Sequence, residues 1–98
     1  LKDRRILAEE GFVSVYAVVE TTTGTILAGP HIQARGVAED DSVFEEILPD
    51  VTEALSAALE TGKADAYSLQ QVMRRTLGRW IGRRLRRRPM IVPVVIEA

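Results

Sequence analysis

Eight arginines, Arg74, Arg75, Arg79, Arg83, Arg84, Arg86, Arg87 and Arg88, crowd one stretch of this 98-residue chain, and no Asp or Glu lies between Asp65 and Glu97 to neutralise them. Guanidinium groups at that density can grip phosphates or distant carboxylates in fork geometry. Arginine also outnumbers lysine across the whole chain, as a GC-rich genome would produce, so its abundance alone does not specify phosphate. Two readings follow. As a nucleic-acid contact, the run would bind in a strongly salt-dependent way, and without interleaved exposed aromatics the contact would be indifferent to base sequence. As a structural feature, it would pair with the acidic stretch 39–65 or form a solvated face.

The other reactive residues do not assemble into a catalytic pattern. Hydrolytic metal sites need several converging His, Asp and Glu ligands, whereas the single histidine, His31, sits in a Gly-Pro-His-Ile turn and reads as structural or solvated. The pairs Asp40-Asp41 and Glu45-Glu46 stand at a helix start, where carboxylates meet the positive end of the helix dipole. Gly78-x-x-x-Gly82 falls inside a helical pattern, unlike a phosphate loop between strand and helix, and leaves room for another group to approach. Trp80 shares the apolar stripe of Leu77 and Ile81 and reads as core rather than as a base-stacking platform. The absence of cysteine removes disulfides and thiolate chemistry and suits a reducing compartment, the cytoplasm.

Ninety-eight residues, 46% hydrophobic and 28% charged, describe one soluble globular domain with a single core. No apolar run has transmembrane length and the first residues lack a signal-peptide core, so no membrane partner is expected. The pattern gives five elements. Positions 11–20 form a strand ending in the turn Thr21-Thr-Thr-Gly24, and 25–36 return as a second strand, bent or bulged at Gly29-Pro30. A helix opens at Asp41-Ser42, where Ser42 and Glu45 could form a capping box, and runs to Gly62, with Pro49 predicting a kink or a restart. A second helix starts at Asp65 as N-cap and carries the stripe Leu69, Val72, Met73, Thr76, Leu77, Trp80, Ile81. Positions 90–97 form the last strand, which Pro93 places at a sheet edge or bulge.

Two helices with one apolar stripe each pack on one face of a three-stranded sheet, an α+β two-layer fold in the order β-β-α-α-β. The first and third strands, however, are apolar at nearly every position, so both sheet faces ask for cover. Val13, Val15, Ile91, Val92, Val94 and Ile96 are therefore the candidate interface residues, for self-association or docking.

Four segments carry a family resemblance: Gly11-Phe-Val-Ser-Val-Tyr-Ala-Val-Val, Gly29-Pro-His-Ile-x-Ala-Arg-Gly36, Arg74-Arg-Thr-Leu-Gly-Arg-Trp80 and Arg87-Arg-Pro-Met-Ile-Val-Pro-Val-Val-Ile-Glu97. Over nearly its whole length the chain resembles the carboxy-terminal domain of ribonuclease J, of an actinobacterial type. That resemblance implies an upstream metallo-β-lactamase-type catalytic domain that holds zinc and cuts RNA as a 5′-to-3′ exonuclease and endonuclease. It implies no metal, cofactor or catalytic residue in this fragment, which is not itself an enzyme. Positions 1–10 would end the linker from the catalytic domain, and 11–98 would form an assembly domain whose partners are other copies and the catalytic domains. The alternative is an RNA-contacting module that guides substrate through Arg79, Arg83, Arg86 and Arg87. A small-molecule regulatory role has only the layering in its favour.

Overall fold

A computed structural model describes residues 11–98; the expected linker at 1–10 lies outside the described residues. Strand β1 (Phe12–Glu20) turns at Thr21 to Gly24 into strand β2 (Thr25–Arg35). A 3₁₀ segment (Asp41–Glu46) leads into helix α1 (Leu48–Glu60), followed by helix α2 (Ala66–Arg84) and strand β3 (Met90–Glu97). The sheet order is β2-β1-β3, with β1–β2 antiparallel and β1–β3 parallel. The two helices form the crossover that returns the chain to the start of β1, which parallel pairing requires. The α+β order expected from the sequence is thus present, with a mixed sheet.

Alternation along β1 organises the packing. Val13, Val15, Ala17 and Val19 are fully buried, and they join Val51, Leu55, Leu59, Leu69, Met73, Leu77 and Ile81 from the helices in one core. Helix α1 lies beneath β2 and α2 beneath β3, so each apolar stripe covers one side of the central strand. Burying each large aliphatic side chain of that core contributes about 1.5–3 kcal/mol.

The bend in β2 is where the sequence placed it. Register shifts fall between Tyr16 and Val18 and again between Val18 and Val19, opposite the Gly29-Pro30 region. Gly29 has φ +83°, and a Cβ there would stand 2.7 Å from the Tyr16 carbonyl oxygen, so only glycine fits.

Helix starts differ in one detail from expectation. The Asp40 side chain accepts from Ser42 N–H at 2.9 Å, so the Ser42–Glu45 capping box does not form; Asp40, one turn position earlier, takes the donor first. The chain restarts as an α-helix at Leu48 with Pro49 in its first turn, where the missing N–H loses no intrahelical bond. Asp65 caps α2 as expected, and with Ser68 it completes a reciprocal capping box: Ser68 N–H donates to Asp65 Oδ1 at 2.8 Å, and Asp65 N–H to Ser68 Oγ at 3.0 Å.

Candidate functional site

The first candidate surface is the sheet face away from the helices. Pairing of Phe12 with Met90, Ser14 with Val92, Tyr16 with Val94 and Val18 with Ile96 puts these side chains on that face, by the two-residue period of a strand. Val92, Val94 and Ile96 are 40%, 40% and 53% exposed, and Tyr16 37%, so the β1–β3 half of the face is an apolar strip in water. The β2 half is polar toward Arg35: Gln33 stands opposite Ser14, Arg35 opposite Phe12, and His31 opposite Tyr16, with the two rings 5.0 Å apart.

Of the six interface candidates named from the sequence, only Val92, Val94 and Ile96 lie on this open face. Val13 and Val15 are fully buried beneath the helices, and the partly buried Ile91 packs against that same core, so none of the three lies on the open face. An apolar residue at every strand position hid which parity faced the helices. Tyr16 and Phe12 belong with the open set and carried the same signal.

Edge β3 has lost two of its outward donors. Met90 N–H donates to the Gly11 carbonyl and Ala98 N–H to that of Val19, so even-numbered positions point their amides at β1 and odd-numbered ones point outward. Among the outward positions, Pro93 has no N–H, and Val95 N–H donates to Gln70 Oε1 of α2 at 3.1 Å. Removing edge donors in this way disfavours sheet extension at β3.

The second candidate surface is the arginine region. Helix α2 ends at Arg84, Leu85 N–H closes onto the Ile81 carbonyl at 2.9 Å, and Arg86 takes a left-handed φ of 56°. That conformation costs a non-glycine residue about 1–2 kcal/mol, and glycine is the usual occupant after a helix C-cap. It turns the chain so that Arg86, Arg87 and Arg88 share a cleft of about 600 Å³ with Arg79, Arg83, Gly78 and Gly82, closed by Pro89 and Ile91. Among the described residues, no carboxylate belongs to this lining. All four RNA-contact candidates, Arg79, Arg83, Arg86 and Arg87, are brought together here. A neighbouring cleft adds Arg74 and Arg75 along the same side of α2.

The acidic-helix reading of the arginines holds for one of them. Arg84 Nη2 lies 3.3 Å from Glu46 Oε2, about half exposed on both sides, an exposed pair worth about 0–1 kcal/mol. Arg79 and Arg83 also border a groove containing Asp50 and Glu53, but they form no ion pair with described residues. Trp80 packs on Phe44 at 5.5 Å between ring centroids, which occupies it structurally.

Among the described residues, no three of His, Cys, Asp and Glu converge as metal ligands, and His31 stands against Tyr16 without a carboxylate beside it. No helix among the described residues is long and apolar enough to cross a membrane.

These features define a small two-layer α+β module with one bare apolar sheet face and one basic cleft. The chain belongs to the Ribonuclease J C-terminal domain family, which matches residues 1–98. It is 41% identical over 93 residues, 95% of the chain, to Ribonuclease J of Mycobacterium tuberculosis, and 39% identical over 93 residues to that of Mycolicibacterium smegmatis. It is 33% identical over 100 residues to Ribonuclease J 2 of Staphylococcus aureus. The chain spans 17% or 18% of the length of these relatives, and 95% or 99% of it is covered by the matches.

Proposed function

We propose that this domain joins copies of a ribonuclease J through the open face of its sheet, while the zinc-dependent hydrolysis of RNA belongs to the part of the enzyme that this chain does not span. The strip formed by Tyr16, Val92, Val94 and Ile96 is the observation that carries the proposal, because contiguous exposed apolar surface of this kind is what association removes from water.

The occupant we assign is a second copy. Arg35 marks one end of the open face, across from Phe12, and Glu20 marks the other. Two copies related by a twofold axis with opposed strand directions would bring Arg35 of each near Glu20 of the other, the self-complementarity that an isologous contact needs. Two such sheets would pack about 10 Å apart with their strands within roughly 30° of one another. The reading places the enzyme in the cytoplasm, where a chain without cysteine loses nothing.

Methyl-resolved NMR over a dilution series tests the surface directly. The methyl signals of Val92, Val94 and Ile96 shift with concentration while those of Val13 and Val15 stay fixed. Concentration-independent signals at all five would overturn the assignment.

A further inference from the structure

We propose that the cleft at the end of α2, floored by Gly78 and Gly82 and walled by Arg79, Arg83, Arg86 and Arg87, is a binding site for the phosphate backbone of single-stranded RNA. The choice of RNA among polyanions rests on membership in a ribonuclease family; the cleft and its charge do not depend on the assembly surface.

Four observations combine. Among the described residues, every charged side chain that lines the cleft is an arginine. Arg79, Arg83, Arg86 and Arg87 form no ion pair with described residues, so their charge is available. Among the described residues the floor is open: a Cβ at Gly82 would meet nothing within 4 Å, and one at Gly78 would meet the Ile91 Cδ1 atom alone, at 3.3 Å. A chain of phosphates can therefore come close to the helix backbone between two rows of guanidinium groups. Finally, Arg86 holds a left-handed conformation that glycine would adopt without strain, and strain kept at a charged position is a sign of use.

The site specifies phosphate rather than base. Its lining contains no aromatic residue, and Trp80 is engaged with Phe44, so nothing offers a stacking surface. Contact with four phosphates gives a slope of about −2.8 in log affinity against log salt, or a weakening of about 50-fold between 50 and 200 mM.

The test uses fluorescence anisotropy of the 98-residue chain with labelled poly(A) and poly(U) RNA of equal length. Both RNAs bind alike, with the stated salt dependence. Gly82→Glu, which sets a carboxylate on the empty floor, weakens binding about tenfold at low salt, as loss of one phosphate contact would. Gly82→Gln, equal in size and uncharged, does not. Arg86→Gly weakens binding yet raises the melting temperature, a combination that a merely structural arginine would not give. Arg84→Gln, outside the cleft, leaves affinity unchanged.

Equal affinity of Gly82→Glu and Gly82→Gln would overturn the proposal, as would absence of RNA binding at low salt. Competition by poly-glutamate as effective as that by RNA would also overturn it, pointing to an acidic protein instead. Val94→Asp separates the two surfaces: it reduces the particle mass and leaves RNA affinity intact, so failure of one proposal is visible apart from the other.

Discussion

The covered and bare faces of the sheet are built from the same kinds of residue. Val13, Val15, Ala17 and Val19 face the helices and are fully buried; Tyr16, Val92, Val94 and Ile96 face the opposite way and remain 37–53% exposed. Apolar composition therefore establishes that both sides of a strand need cover without saying what supplies it. Within this chain the helices are used up by one side, and of the two sheet edges β3 has lost outward donors to Pro93 and Gln70.

Reversing polarity on each face in turn separates the two roles. Val15→Asp puts an unpaired carboxylate among Val and Leu side chains and costs more than about 3 kcal/mol, enough to unfold a small domain, as loss of the circular dichroism signal will show. The same change at Val94, on the open face, leaves the unfolding free energy of the monomer within about 0.5 kcal/mol, measured by urea titration at high dilution.

Smaller effects sharpen the contrast. Gln70→Ala leaves the Val95 amide without its partner, lowering stability by about 0.5–1.5 kcal/mol and speeding hydrogen exchange at that amide. Arg35→Glu removes both symmetry-related ion pairs and weakens self-association by up to about 30-fold, the worth of two exposed pairs, and adding Glu20→Arg restores it; a double-mutant cycle of dimer dissociation constants reads the coupling.

Acid acts on the covered side through its helix starts. Hydrogen bonds from Ser42 hold the Asp40 carboxyl below its ordinary 3.8, and those from Ser68 do the same for Asp65. A carboxyl whose folded pKa is depressed contributes its stability above the unfolded value and loses it as pH falls through the folded one. Urea midpoints will therefore fall as the solution is acidified below about pH 4, and Asp40→Asn with Asp65→Asn will flatten that decline.

Much of this was legible in the residues. The helical stripe from Leu69 to Ile81, the Asp65 cap, the break at Pro49 and the edge position of Pro93 all follow from local chemistry, and each is present. The parity of β1 was not legible, because Phe12, Tyr16 and Val18 are as apolar as Val13, Val15 and Val19; the pairing register and the side the helices take decide it. Nor was the first cap, where the Asp40 and Glu45 carboxylates compete for the Ser42 N–H and Asp40 takes it. The arginine cluster was plain in the sequence, but its concavity was not. That required the left-handed turn at Arg86, a position where the local rule would have placed glycine.

Light scattering on the 98-residue chain, across a range of concentrations, tests the role of the bare face most directly. The mass rises from 10.8 kDa toward twice that value as concentration increases, and Val94→Asp holds it at the monomer value throughout. A wild-type chain that stays monomeric at the highest concentration reached, or a Val94→Asp variant that associates as the wild type does, would contradict the account.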